Sequence, residues 1–484
     1  MVNSIIYSFV ISLLLFFHTT LPIKAENLNP KDYGILEELS GVERYNILMK
    51  VHKEAVATGK NVTYEGINKL ELEIPENAMS IPLPMITDFA GAELIVKNNK
   101  KSLHLFLMQG EKNPVELDKR SLKKSVFRSN PKLRNGRKVL IIEDESPWVE
   151  QRIGYDVGVK RKDILYLKRG RAQNKPVQSY NSPFSTPRAY YYDASIDQHV
   201  FKNLVFKRTN SSTMKTYLVH FNCIDNIEII NVTTITPSST LYADQIFAFT
   251  DCSNLSFENV VIDGTYSQLR KYGYGISMNN VWHSTFSKLR AHGNWGVFGT
   301  YCVNDATIED SEINRFDIHC YGKDVKSVRC KFEGLYNQFS SVYGTISFDE
   351  CELKNFVPVL IEASFNAYTP FDLKWNNCTF FLDAKHNYLL KLSEVPEEDN
   401  KRPELKQKYL PNIYINNCFV VLAEDVKQWF VIFSNSNNYK DSFDGIDKII
   451  IEDLNLKGNN KLPPEFFSKA VKTTKRIKTN ISLK

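Results

Sequence analysis

The chain predicts an all-β fold, a parallel β-helix with an N-terminal capping helix and loop insertions. Three observations carry this reading. Short β-rich segments recur from about residue 200 onward, each an Asx-containing turn followed by a strand, at spacings of about 19 to 29 residues that lengthen toward the C-terminus. Four cysteines share one context: Arg329-Cys330-Lys331-Phe332, Glu350-Cys351-Glu352-Leu353, Asn377-Cys378-Thr379-Phe380 and Asn417-Cys418-Phe419-Val420. Asp310-Ser311-Glu312-Ile313 repeats that context with Ser. Phe, Ile, Val, Cys and Ser alternate along the repeats, as in coils that bury their inner faces only by stacking on neighbours. The period is too short for a propeller, which needs ~40 residues, and the strict Leu/Asn consensus of leucine-rich repeats is missing. Coils of roughly 20–25 residues with three short strands remain.

The elements follow in order. Residues 1–25 read as a signal peptide. Ile5 to Phe17 is an apolar run too short to span a bilayer comfortably, and Leu21-Pro22-Ile23-Lys24-Ala25 ends in a small residue suited to cleavage, although Met1 to Tyr7 carries no Lys or Arg. No Cys follows the run closely, and no later stretch is long and apolar enough for a stable membrane span. The expectation is an exported protein, secreted or periplasmic. Residues 26–484 read as one elongated domain. Its cap, about 28–65, holds Asp32-Tyr33-Gly34, an amphipathic helix near Val42 to Thr58, and Gly59-Lys60-Asn61-Val62-Thr63-Tyr64. The helix would cover the open end of the solenoid. A basic insertion, about 110–190, places Lys160-Arg161-Lys162 and Lys168-Arg169-Gly170-Arg171 around the strand-like Ile164–Leu167. It reads as a solvated hairpin or as an arm that touches an anionic chain. Central coils run from about 195 to 465, with a charged loop at Glu394 to Leu410, and a basic, mobile tail covers 466–484.

Composition narrows the partners. A formal charge of +6 in a chain that is 24% charged is mildly basic and suits an acidic partner. The 24 Tyr and 30 Phe supply buried ladders and rings able to stack on sugars. All eight cysteines lie between 223 and 418, and their repeated context points to packed, free thiols in one internal column rather than to a disulfide framework. No CxxC or Cys/His cluster has zinc spacing. Nothing resembles a nucleotide loop, a serine-hydrolase elbow or a nucleic-acid module, so no nucleic-acid partner is expected. The oligomeric state is left open.

The chemistry concentrates in Arg315-Phe316-Asp317-Ile318-His319-Cys320-Tyr321-Gly322-Lys323. On an extended strand, alternation places Phe316, Ile318, Cys320 and Gly322 inward. Arg315, Asp317, His319, Tyr321 and Lys323 would then face water in a row. The plain reading is a solvated strand face. The functional reading is acid–base chemistry on a charged substrate, for which a cation, carboxylate, imidazole, phenol and ammonium are the parts.

Asp32-Tyr33-Gly34, the helix followed by Gly59 to Tyr64, Asp88-Phe89-Ala90-Gly91-Ala92-Glu93-Leu94-Ile95 and the coils together resemble the pectate-lyase superfamily of right-handed parallel β-helices. That superfamily includes polysaccharide lyases, glycoside hydrolases and phage tailspikes. The resemblance spans nearly all of the mature chain and implies a right-handed, single-stranded parallel β-helix acting on a polysaccharide. A calcium-dependent group of alginate lyases and chondroitinase B carries Lys-Ser on one coil and Arg-His-Gly on a later one. Here Arg290-Ala291-His292-Gly293 is an echo of the second, and no Lys-Ser stands on the coil before it. That group's base and calcium ligands are therefore not carried over. The Asp cluster of plant-type pectate lyases is not visible either. Calcium stays open as a cofactor, with no metal ligands assigned.

The functional expectation is β-elimination from an acidic, uronic-acid-containing polysaccharide, with a glycosaminoglycan such as chondroitin or dermatan sulfate as one candidate. His319 would take the proton beside the carboxylate, and Tyr321 would protonate the leaving oxygen or act as base. Arg315 would clamp the carboxylate and Asp317 would orient His319. Lys323, Tyr301, Trp295, His292, Arg270, Lys271 and Glu362 are expected to bind substrate, the loop Leu269–Tyr274 setting Arg270 and Lys271 beside aromatics. Two alternatives stand beside it. One is a glycoside hydrolase pairing Asp317 with Asp244, Asp305 or Glu362. The other is a non-catalytic glycan-binding solenoid.

Overall fold

A computed structural model describes residues 26–483, apart from 36–37, 99–101, 145–160, 177–186, 210–214, 237–244, 265–273, 293–295, 335, 341, 355–356, 363–370, 394–410, 435–447, 458–464 and 468–476. The signal peptide read at 1–25 and the charged loop 394–410 lie outside the described residues. Strand after strand pairs in parallel with the one a coil later, so the chain is a right-handed parallel β-helix. Three sheets run along it. The first stacks, in order, Ser102–Gln109, Lys215–Asn222, the start of Gln245–Glu258, the start of Tyr274–Ser287, the start of Gly296–Glu309, Phe316–Cys320, Tyr336–Phe339, Val357–Glu362 and Tyr388–Ser393. Hydrogen-bonded side chains on neighbouring coils are separated by 28, 22, 19 and finally 40 residues in sequence, following the irregular spacing of the repeats.

Sharp corners make the coils. Asn203, Asn231, Asn259, Lys288, Asp310, Arg329, Glu350, Asn377 and Asn417 occupy one left-handed column, each with φ between 47 and 59. Asn is among the few residues that adopt this conformation cheaply. Its side chains also stack: Asn259 donates to Asn231 at 2.8 Å, and Asn231 donates to Asn203 at 3.1 Å. The residue after each corner turns inward. Register therefore aligns Ser311, Cys330, Cys351, Cys378 and Cys418 in one buried column, with free thiols as expected. Beside them a phenylalanine ladder, Phe257–Phe286–Phe298–Phe316, repeats at 4.9 Å between ring centroids. One apolar core runs from Leu28 to Leu456. Each buried ring contributes about 1.5–3 kcal/mol, so no single coil sustains the fold and stacking does.

The cap helix spans Gly41–Thr58. Ser40 and Glu43 form a capping box at its start, and Gly59 ends it in the left-handed conformation. Tyr45, Leu48, Val51, His52 and Ala55 recur at helical spacing and close the end of the core. The imidazole of His52 is fully buried between the Pro82 carbonyl (3.1 Å) and the Tyr64 hydroxyl (2.9 Å). Burial lowers its pKa from 6.5 to about 4. A histidine held neutral this way stabilises the folded state above its unfolded pKa. That contribution, about 3 kcal/mol, is lost as pH falls from 6.5 toward 4. Chemical denaturation at pH 7 and pH 4.5 should show this acid loss in the wild type and a clearly smaller one in His52→Gln. Equal losses would remove His52 as its source.

Three expectations change. Coils start before residue 195, because Asn61–Thr63, Lys69–Ile74, Ile86–Asp88, Glu93–Asn98 and Ser102–Gln109 are already rungs. The basic insertion is more than a solvated hairpin. Its strands Asn113–Val115, Arg137–Asp144, Arg161–Lys168, Arg171–Ala172 and Pro187–Asp193 make a five-stranded antiparallel sheet. Apolar residues fall on both faces of it. Leu140, Ile142, Leu165 and Leu167 build its own core, while Val139, Ile141, Ile164 and Tyr192 pack on Cys223 and Trp282 of the solenoid. Tyr166 stacks on Trp282 at 5.0 Å, and Lys112 pairs with buried Asp251 at 3.1 Å. In the basic tail, Ile477–Leu483 adds a last rung against Ile449–Lys457.

Candidate functional site

The inner side of the rung Phe316–Cys320 is fixed by Phe316 at the end of the phenylalanine ladder and by Ile318, both in the core. Arg315 and Asp317 therefore point outward. Pairing with the previous rung runs Phe298 with Phe316, Gly299 with Asp317 and Thr300 with Ile318, then jumps to Tyr301 with Cys320. His319 is an extra residue, a β-bulge, and a bulge re-aims side chains. Thr300 donates its hydroxyl to the Asp317 carbonyl at 2.7 Å beside this break. From the next rung, the inward Asn337 accepts from the Phe316 N–H at 3.0 Å and donates to the Pro358 carbonyl at 3.0 Å.

The expected row of five exposed polar groups does not form. Past the bulge the alternation slips by one. Cys320 leaves the inner column and joins Cys302, Tyr321, Tyr301 and Tyr343 in a separate cluster outside the core. Tyr321 takes φ 58 at a corner, in register with Cys223, Asp251, Asn280 and Cys302, which share that conformation. Lys323 lies beyond the corner on the second sheet, between Asn304 and Tyr343, with its ammonium 3.8 Å from Asp324. Nor does the row face water: Asp317 is 0% exposed, Arg315 and Tyr321 1%, and His319 7%.

What the structure brings together is Arg315, Asp317 and His319 with Tyr274, a residue from two rungs earlier that sequence reasoning did not assign a role. Its hydroxyl donates to Asp317 Oδ2 at 2.9 Å and lies 3.0 Å from His319 Nε2. Gly299 makes this reach possible. A Cβ there would stand 2.3 Å from the Tyr274 ring. Gly299→Ala should therefore expel the ring and cut turnover about 10- to 100-fold with little change in unfolding. Unchanged turnover would mean that the Tyr274 contacts are idle. The His319 ring is held on two sides, by Tyr301 at 5.0 Å and by Tyr274 edge-on at 5.6 Å.

Arg315 is not available as a carboxylate clamp. Its Nε donates to Asp317 Oδ1, its Nη2 donates to Gln338 at 2.7 Å, and its guanidinium lies 4.1 Å over the Tyr336 ring. Burial works against its charge, but Asp317 beside it outweighs burial and raises its pKa above the usual value. Arg315 thus holds Asp317 ionised and in place. An ionised carboxylate only accepts, so the single phenol proton of Tyr274 goes to Asp317. His319 must then present Nε2–H to the phenol oxygen.

These donors do not suit calcium, which takes six to eight oxygens. Both Asp317 oxygens are engaged by Arg315 and Tyr274, and no group of three or more metal-binding side chains occurs among the described residues. Arg270, Lys271 and Trp295 lie outside the described residues. His292 ends the strand Arg290–His292 on the third sheet, and Glu362 ends Val357–Glu362 on the first, with neither side chain described. A cleft of about 840 Å³ on the insertion, lined by Pro114, Pro131, Lys132 and Arg188 among others, is not formed by the groups of this centre.

No family model and no curated protein matches the sequence. Solved structures of similar shape include the tailspike protein gp49 from Pseudomonas phage LKA1, with TM-score 0.40 and 11% identity over 91% of this chain and 80% of that one. The Gp54 tailspike of Acinetobacter baumannii bacteriophage AP22, in complex with A. baumannii capsular saccharide, has TM-score 0.46 and 9% identity over 94% and 79%. The A-module of the Azotobacter vinelandii mannuronan C-5 epimerase AlgE4 has TM-score 0.39 and 10% identity over 84% and 97%. The likeness is one of shape, and the fold itself is read from the strand register.

Proposed function

We propose that this protein is a polysaccharide-modifying enzyme that takes the proton beside the carboxylate of a uronic acid residue and cleaves the chain by β-elimination. The observation that carries this is the Tyr274 phenol held between Asp317 and His319 on the outer face of a solenoid. In the proposal, His319 Nδ1 removes the proton and the electron pair moves into the new double bond. The glycosidic C–O bond breaks, and the Tyr274 hydroxyl turns its one proton from Asp317 to the leaving oxygen. The phenolate recovers a proton from His319 Nε2, so no net charge accumulates on the pair. Arg315 and Asp317 position Tyr274 throughout. This moves the acid role from Tyr321 to Tyr274. Arg270 and Lys271, four and three positions before Tyr274 in sequence, keep their proposed part as cations for the substrate.

Hydrolysis has less support. Asp317 is committed to Arg315, and Asp305 is a half-exposed partner of His283 on the second sheet. Asp244 and the Glu362 side chain lie outside the described residues. The test is incubation with alginate, polygalacturonate and chondroitin or dermatan sulfate. An ultraviolet-absorbing unsaturated product supports elimination. New reducing ends without that absorbance would overturn it in favour of hydrolysis. Hydrogen exchange from solvent into the sugar without cleavage would keep the base and replace elimination by epimerisation. Retention of a polymer with no chemistry would leave a binder.

A further inference from the structure

We infer a distal sugar-binding subsite on the same sheet, built from His104, Tyr217 and His220, that holds a pyranose residue of the acidic chain away from the reacting one. It rests on the proposed carbohydrate reading and extends it to residues with no part in the chemistry. Tyr217 lies beside His104 in register, with their rings 4.7 Å apart. His220, on the same strand as Tyr217, stands 4.6 Å from His104. All three are partly exposed on the outer face, so their rings form an aromatic shelf. His220 Nε2 is anchored by the Thr250 hydroxyl at 3.1 Å. Burial lowers the pKa of both imidazoles, that of His104 to about 4, so near neutrality the shelf is uncharged. Uncharged rings offer stacking faces, which suits the C–H face of a sugar more than a bare anion.

Register ties the shelf to the centre. His220 pairs with Ala248, Ala248 with Ser277, Ser277 with Gly299 and Gly299 with Asp317. Between shelf and centre stand Ala248, Ser277 and Gly299: the first two leave a low floor, and the Tyr274 ring covers the third. Four rung spacings make about 19 Å, the length of roughly four pyranose residues. A chain lying along the solenoid axis with one sugar at His319 places another on the shelf.

The test uses full-length protein in native gels containing alginate, polygalacturonate or chondroitin sulfate, together with steady-state kinetics on any polymer that is cleaved. In a polymer that retards the wild type, the Tyr217→Ala/His220→Ala variant should bind about 10-fold more weakly, with KM raised and kcat unchanged. Tyr217→Phe should behave as wild type, and di- and trisaccharide fragments should show no difference. Unchanged retention in the double variant would overturn the shelf. So would a fall in kcat on short fragments, which would make these rings structural supports of the centre, or a failure of every polymer to retard the wild type. Retention by the wild type with no product, lost in the double variant, would uphold the shelf while removing elimination.

Discussion

His319→Ala and Tyr274→Phe are each expected to lower turnover on a uronate polymer by at least about 100-fold, the usual contribution of a positioned acid or base. Neither change should unfold the protein. His319 sits at a bulge outside the apolar core, and Tyr274→Phe keeps the ring that fills the space over Gly299. Tyr321→Phe is the informative comparison. Tyr321 is buried at a corner among Cys302, Cys320 and Tyr343, and its hydroxyl has no role in the relay, so turnover should stay within about threefold. The reverse pattern, a large loss in Tyr321→Phe and a small one in Tyr274→Phe, would return the acid role to Tyr321.

Asp317→Asn is expected to lose both stability and turnover. Removing one member of a buried ion pair leaves the other charge uncompensated, a cost of about 3–5 kcal/mol. Here the stranded charge is Arg315, 1% exposed and kept ionised by Asp317. Chemical denaturation reads the first loss and polymer cleavage the second. Replacing both partners, as in Arg315→Met/Asp317→Leu, should recover much of the stability, because no buried charge remains. Activity should stay absent, because Tyr274 no longer has its acceptor. Wild-type stability in Asp317→Asn would show that Arg315 is solvated or paired well enough without it.

The fold was legible because it depends on features that repeat. The Asx corners, the inward Cys/Ser column and the alternating apolar positions recur coil after coil, and each repeat reinforces the same register. The cap helix was legible from its amphipathic stretch near Val42 to Thr58 and the Gly59 that follows it. The site was legible only in part, because it depends on departures from the repeat. Strict alternation gave Arg315 and Asp317 their outward direction. It failed at His319, since an inserted residue cannot be seen by counting along one strand, and it failed at Tyr321 because a bulky residue is a poor signal for a left-handed corner. Tyr274 was out of reach for another reason. It is 43 residues before Asp317, and only stacked coils bring the two within 2.9 Å. Gly299 means little in the sequence, because its meaning lies in the ring that covers it. Arg315 and Asp317, read as separate tools for the substrate, are spent on each other.

The most direct test is the crystal structure of His319→Ala soaked with an oligosaccharide of whichever uronate polymer the protein binds. A sugar ring is expected on the outer face of the first sheet, with the C–H beside its carboxylate facing the vacated position 319 and the glycosidic oxygen within hydrogen-bond reach of Tyr274. A sugar bound on another sheet, on the insertion, or with its glycosidic oxygen turned away from Tyr274 would contradict it.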